Sequence, residues 1–326
     1  MILGVPGVEE HTIDWHLISR GGPRAKMYRI VGIGELLWDM LPEGPQLGGA
    51  PANYTVMAGR LGNHATILSR IGSDELGARA LHTLKQFPVD LCGLQMDQQQ
   101  PTGRVTVEFQ AGQPNYVIHQ PAAWDFFALT DSWLDEVAQA DAICFGSLAQ
   151  RSEQSRQTVH ALVRAARPAC KRIFDVNLRA PFYSAEIVRE SLQLATVFKM
   201  NDAEVPLVLQ LLGLPPTSSL RQGAETVLRH FSGLELVAIT RGGEGSLLVS
   251  RSDWNEHPGV PVKVADTVGA GDAFTAAMTA YLLRGASLAM LNEAGNHWGS
   301  YIASQPGAMP SIGEETRSRI AAEIEG

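Results

Sequence analysis

A chain of 326 residues with 45% apolar and 18% charged side chains has the balance of an ordered globular protein with a large core, which excludes disordered and collagen-like classes. A formal net charge of −8 without any long Lys/Arg run argues against nucleic acid or an anionic membrane surface as the main partner. Cys92, Cys144 and Cys170 lack zinc-site spacing and read as buried thiols; with no run near the roughly 20 apolar residues of a membrane span, the expected location is the cytoplasm.

Residues 1–26 mix Pro, Gly, charge and aromatics without a clean period and read as an extension of unknown role outside the core. The folded unit is expected over 27–326. It opens with a strand at 28–34 and a Gly/Pro-rich segment. A helix starting at Pro51 follows, with Ala52, Val56 and Leu61 apolar and Gly62 closing the run. A strand at 65–71 and a helix at 74–87 come next. Period-two alternation of Val105, Val107 and Phe109, then Tyr116 and Ile118 beyond Gly112, predicts a hairpin. Later, short apolar runs at 142–145, 172–174, 197–200 and 236–240 alternate with helical stretches such as 153–166. Two apolar helices at 270–283 and 288–303 and a charged helix from Glu314 complete the chain. The pattern predicts an α/β three-layer sandwich with a mainly parallel central sheet and a small protruding β lid, built from segments near 36–49 and 102–120. Such sheets bind ligands beyond the C-terminal ends of their strands.

The segment Asp266-Thr267-Val268-Gly269-Ala270-Gly271-Asp272 leads directly into an apolar helix. Small residues there let backbone amides converge, and a helix N-terminus with free N–H groups favours an anion without any cationic side chain. A carboxylate in that place is a poor anion ligand, so Asp272 is better suited to accept the proton of an attacking hydroxyl. Together these features suggest phosphoryl transfer. A tight glycine turn followed by an ordinary first-turn acid would look the same, and neither the GxxxxGK[ST] loop nor the GxGxxG fingerprint matches.

The same segment resembles the C-terminal signature of the ribokinase-like, or PfkB, family of carbohydrate kinases. A second block resembles the family's sugar-binding signature: Gly34-Glu35-Leu36-Leu37-Trp38-Asp39, then Gly48-Gly49-Ala50-Pro51-Ala52-Asn53 and Leu61-Gly62. Between them lie further marks: Gly72, Asp74 and Gly77; Thr102-Gly103; Asp175-x-Asn177-x-Arg179; Lys199-x-Asn201-x-x-Glu204; and Thr240-x-Gly242-x-x-Gly245. The resemblance spans Tyr28 to about Ser311.

It implies an ATP-dependent sugar kinase using Mg2+, with Asp272 as base and the backbone of Gly269, Ala270, Gly271 and Asp272 as anion hole. Asp39, Gly48, Gly49 and Asn53 would bind sugar; Asp accepts two hydroxyl hydrogen bonds and Asn both donates and accepts, which fixes a polyol. Asn201 and Glu204 are implied on the magnesium and phosphate side, with Glu204 acting through water, although helix capping is the competing role. Thr240, Gly242 and Gly245 would meet the nucleotide phosphates, unless they form only a hairpin turn. Asn296, eleven residues before Gly307, would lie near adenine, unless it serves only the helix interior. Asp266 and the Val268 carbonyl are implied as ligands of a potassium-like cation; the family commonly has Thr where Val268 stands.

The stretches 101–127 and 145–151 resemble fructokinase-type members, which makes fructose the expected substrate. Arg179 and the hairpin residue Arg104 leave open a sugar acid such as 2-keto-3-deoxygluconate, since guanidinium pairs most strongly with carboxylate. Arg104 is equally compatible with an exposed lid arginine. A nucleoside kinase of the same family and a non-catalytic sugar sensor are the other readings. The lid is expected to close over sugar, and its edge could pair with a twin to give a homodimer.

Overall fold

The computed structural model describes residues 26–42, 44–110 and 113–325. The extension expected at 1–26 therefore lies, apart from Lys26, outside the described residues. Strands with near-continuous apolar runs are buried on both faces, as parallel sheets covered by helices require. In chain order these and the other strands are β1 (Arg29–Ile33), β2 (Leu37–Leu41), β3 (Gly44–Gly48), β4 (His64–Gly72), β5 (Leu94–Asp97), β6 (Gly103–Gln110), β7 (Gln113–Ile118), β8 (Ala142–Gly146), β9 (Lys171–Asp175), β10 (Val197–Asn201), β11 (Leu236–Thr240), β12 (Ser246–Ser250) and β13 (Trp254–His257). The helices are α1 (Ala50–Arg60), α2 (Glu75–Leu84), α3 (Asp131–Gln139), α4 (Glu153–Ala165), α5 (Ala185–Leu194), α6 (Glu204–Leu212), α7 (Leu220–His230), α8 (Ala270–Leu283), α9 (Leu288–Ala303) and α10 (Glu314–Glu325).

The main sheet has nine strands in the order β13-β12-β11-β10-β9-β8-β1-β4-β5. Its strands pair in parallel from β11 to β5, and β12 and β13 add an antiparallel edge. Side chains alternate across it: Val31, Ile33, Phe145, Phe174 and Phe198 enter the core under α3 to α7, while Ile30, Cys144, Ile173 and Val197 enter the core under α1, α8, α9 and α10. The three-layer α/β sandwich expected from the sequence is the observed fold. Among the described residues no helix is long and apolar enough to cross a membrane.

Close approach between α8 and α9 depends on small residues. A Cβ at Gly295 would lie 2.5 Å from the Phe274 ring, so glycine is what admits that ring; burying a ring of this size contributes about 2 kcal/mol.

The lid is a four-stranded sheet, β3-β2-β6-β7. Two antiparallel hairpins are joined by parallel pairing of β2 with β6, Leu37 opposite Gly103 and Asp39 opposite Val105. Both hairpins are tied to the start of α2. Trp38 Nε1 donates to the Leu76 carbonyl at 2.9 Å, and Asp74, the α2 N-cap, accepts from the Gly77 N–H, the Thr102 N–H and the Thr102 hydroxyl. The helix expected at 74–87 is shorter at its C-terminal end, because the chain turns at Lys85 to reach Pro88, whose carbonyl oxygen would lie 2.0 Å from a Cβ at Gly59.

Candidate active site

Because β1, β8, β9, β10 and β11 run in one direction, their C-terminal ends open on one edge of the sheet. Asp175, Asn201 and Thr240 are the last residues of β9, β10 and β11, and Gly34 and Glu35 follow β1. The N-terminus of α8 comes down on the same edge. Gly269 supplies its N-cap at φ 79°, and a Cβ there would meet Ala308 Cβ at 2.6 Å. Asp266 shapes the approach: its two oxygens accept the N–H groups of Val268 at 3.0 Å and Gly307 at 3.1 Å. The Ala270 N–H donates to the Thr267 carbonyl at 3.3 Å, while the following first-turn amides of α8 lack intrahelical acceptors, as at any helix start, and are available to an anion.

Asp272, in that first turn, is partly buried and accepts a 2.8 Å hydrogen bond from Asn53 Nδ2 on α1. Burial, with Asp175 nearby, pushes its carboxyl up to about 6, against the opposing pull of Asn53, Lys199 and Arg179. Two residues 219 apart in sequence, one from each signature, thus form a single constellation.

Other residues of the N-terminal signature lie on β2, β3 and the start of α1. Asp39 on β2 is pushed up to about 6 by burial, with Arg179 pulling the other way and Asp266 adding to the rise. Gly48 leaves room for it, since a Cβ there would lie 2.8 Å from Asp39 Oδ2. Gly49, the α1 N-cap, sits at φ 111°, with space for a Cβ closed by the Glu35 carbonyl oxygen at 2.3 Å. Asn53 is 6% exposed and its Oδ1 is buried without a protein partner. Arg179 is exposed, donates to the neighbouring Leu178 carbonyl at 3.2 Å, and acts electrostatically on Asp39, Glu35 and Asp272. Arg104 lies opposite Trp38 on β6 and is exposed.

At the end of β10, Asn201 and Glu204 cap each other. The Asn201 N–H donates to Glu204 Oε2 at 2.8 Å and the Glu204 N–H donates to Asn201 Oδ1 at 2.9 Å, while the Leu178 N–H donates to Glu204 Oε1 at 2.7 Å. Both carboxylate oxygens of Glu204 therefore already serve the backbone. Thr240, Gly242 and Gly245 lie at the β11–β12 turn, where the two glycines adopt φ 56° and 83°. Nothing lies within 4 Å of a Cβ at Gly242, whereas one at Gly245 would meet the His257 carbonyl oxygen at 2.0 Å. Asn296 is 6% exposed, with Nδ2 placed 2.7 Å from Ser246 Oγ and 2.8 Å from the Asn292 carbonyl oxygen. Its amide joins a buried polar cluster apart from the Asp272–Asn53 constellation.

Sequence reasoning gave no role to Glu35, Asp175, Lys199 or Thr275. Glu35 is 3% exposed, with Oε2 buried and unpaired, and burial, reinforced by Asp272, pushes its carboxyl up to about 7 despite backbone hydrogen bonds and Arg179. Lys199 and Asp175 form a buried ion pair at 3.2 Å. Asp175 and Lys199 stand in the motifs quoted from the sequence without a role; a charged residue at the end of an apolar strand, and a lysine inside one, are the signals that could have given them one. Among the described residues no group of three or more His, Cys, Asp or Glu side chains is placed to hold a metal ion.

Residues 45–315 match the model of the pfkB family carbohydrate kinases. A fructokinase of Salmonella typhimurium is 30% identical over 262 residues, covering 77% of this chain and 83% of its own length. An uncharacterized sugar kinase of Pyrococcus horikoshii superposes with a TM-score of 0.77 at 29% identity, covering 91% of this chain and 99% of its own, and a second structure of it is in complex with ATP. The fructokinase of Vibrio cholerae O395, in a form with fructose, ADP and calcium bound, superposes with a TM-score of 0.76 at 25% identity over 91% of this chain and 99% of its own. With the matched region spanning the β6–β7 half of the lid, α1 and the α8 N-terminus, the chain belongs to the pfkB family of carbohydrate kinases and is an ATP-dependent sugar kinase.

Proposed function

We propose that the enzyme is a fructokinase, transferring the γ-phosphoryl group of ATP to the 6-hydroxyl of fructose with Asp272 as general base. The observation that carries this reading is the 2.8 Å hydrogen bond from Asn53 to Asp272, because it joins the sugar-binding helix to the candidate base. A carboxyl raised to about 6 is still ionised near pH 7, yet is basic enough to take a hydroxyl proton as the new O–P bond forms. Asp39 and the unpaired Asn53 Oδ1 are suited to sugar hydroxyls, and Gly48 and Gly49 let the backbone approach the ring. The amides of Gly269 to Asp272 face the charge that builds on the phosphoryl oxygens, and bound sugar under the lid keeps water from competing.

Magnesium fits this donor set only with ATP supplying most of its ligands. Glu204, whose oxygens accept the Leu178 and Asn201 N–H groups, would reach it through water, and the ion would neutralise phosphate charge. A potassium-like ion would take Asp266 and the Val268 carbonyl and would steady the loop before α8. The Thr240, Gly242 and Gly245 turn, with Asn296 beyond it, would receive the nucleotide.

A second reading, 2-keto-3-deoxygluconate as substrate, is favoured by Arg179. Among the described residues its guanidinium makes a hydrogen bond only to the Leu178 carbonyl, which leaves donors for a sugar carboxylate. A coupled ADP assay across fructose, 2-keto-3-deoxygluconate, ribose and adenosine separates the two, with the highest kcat/KM expected for fructose. Asp272→Asn is expected to lower kcat by about 1000-fold or more while calorimetry still detects sugar and ATP binding. Turnover near the parental rate in that variant would remove Asp272 as the base.

A further inference from the structure

Lys199 has no part in the binding roles given above, yet its position is tightly specified. It stands in the middle of β10, is 7% exposed, and places Nζ 3.2 Å from each carboxylate oxygen of Asp175 on the adjacent strand β9. A Cβ on Gly271 would lie 3.1 Å from that same Nζ and 3.9 Å from Cε, so the ammonium fills the space which a side chain on the first turn of α8 would take. One turn further on, the fully buried Thr275 places its hydroxyl 3.2 Å from Asp175 Oδ2 and 2.9 Å from the Gly271 carbonyl oxygen. The end of β9 and the middle of β10 are thereby joined to the helix turn that carries Asp272.

Burial alone disfavours the ammonium, but the attraction of Asp175, Glu204 and Asp272 outweighs it and keeps Lys199 cationic. A buried ion pair stabilises a fold weakly compared with apolar side chains of equal volume. Its placement is therefore better explained by what the charge does where it sits.

We propose that Lys199 is a positioning residue for phosphoryl transfer: clamped by Asp175, its ammonium sets the first turn of α8 at Gly271 and presents positive charge behind the amides that meet the migrating phosphoryl group. A cation fixed in advance needs no reorganisation as charge develops, which is the condition under which electrostatic stabilisation is most effective. Thr275 completes the device by linking the carboxylate that holds Lys199 to the helix itself. The inference rests on the reading of Asp272 and the α8 amides given above.

The test uses the charge-free pair Lys199→Met/Asp175→Asn, which keeps side-chain size and avoids leaving one buried charge alone, together with Thr275→Val and Thr275→Ser. The double variant is expected to melt cooperatively and to bind sugar and ADP within about threefold of the parent, with kcat lower by ~100-fold, the scale of losing one preorganised donor. In the presence of sugar, its affinity for ADP with aluminium fluoride, a mimic of the phosphoryl group in flight, should fall by a similar factor; a role in folding alone would not produce this split. Thr275→Val should lower kcat by roughly tenfold with little change in sugar KM, and Thr275→Ser, which keeps the hydroxyl, should recover most of that loss. A double variant with parental kcat, or with parental affinity for the fluoride complex, overturns the proposal. If the double variant does not fold, equal kcat for the Val and Ser variants overturns it instead. Asp272→Asn run alongside separates the failures: normal turnover there rejects the function, while an inactive Asp272→Asn beside a fully active double variant rejects only the role of Lys199.

Discussion

Truncating Asn53 to alanine removes the donor 2.8 Å from Asp272 Oδ2 and leaves the partly buried carboxylate with less to stabilise its charge. A hydrogen bond to a charged group is worth about 1.5–3 kcal/mol, and about 1.4 kcal/mol corresponds to one pKa unit, so the loss should carry the Asp272 carboxyl from about 6 to ~7–8. The sign follows from the chemistry, since a base works only when ionised and raising its pKa moves the acid limb of kcat/KM to higher pH. The parent is about 90% ionised at pH 7, and the variant would be roughly 10–50% ionised there. The measurement is kcat/KM for sugar at saturating ATP, followed from about pH 5 to 9 by ADP release, because this ratio reports groups of the free enzyme. Losing Asn53 also strips a proposed sugar contact and lowers the whole curve, so the position of the limb and not its height is the readout. An acid limb that stays in place, or that moves down, would refute the coupling between α1 and the base.

Glu35→Gln should change stability in a pH-dependent way. An acid whose folded pKa is raised to about 7 contributes stability that is complete below its unfolded value near 4.5 and is lost as pH rises through about 7, so the Gln variant should gain on the parent by up to ~3 kcal/mol near pH 8 and by little near pH 5. Thermal melts at the two pH values check this, and an equal difference at both would count against it. Gly269→Ala forces a side chain into φ 79° against Ala308 and should cost at least about 1–2 kcal/mol of stability with a marked loss of kcat; parental kcat would show that this turn does not hold the amides in place.

The helices α8 and α9 were legible in the sequence because each is rich in apolar and small residues and starts beside a glycine or a serine, and the bounds expected for them agree with the structure. The lid was legible from its period-two alternation and glycines. Helices α3, α5 and α7 were not specified, because their polar faces dilute the apolar signal and their presence is fixed by the sheet they cover, while α6 was read only at its start, through the spacing of Asn201 and Glu204. The sequence placed Asp39 and Asn53 together by resemblance, but not the contact of Asn53 with Asp272, which exists only once α1 packs beside α8. Glu35, quoted in the N-terminal signature, received no role for a related reason: its carboxyl is perturbed by burial and by Asp272 far along the chain, and a single acid after a strand has no periodicity to reveal it. For Asn201 and Glu204 the spacing of three residues is equally that of a capping box, so only coordinates could show both oxygens of Glu204 engaged by backbone N–H groups.

The anchoring of the lid has a mechanical consequence. Its two hairpins leave the chain some sixty residues apart, yet each is fastened to the same few residues at the head of α2, one through the Trp38 indole and the other through Thr102. Parallel pairing of β2 with β6 then locks them into one panel, like two boards hung on a common hinge post. Asp39 and Arg104, one on each board, are thereby held in fixed register, so any displacement of one would carry the other with it.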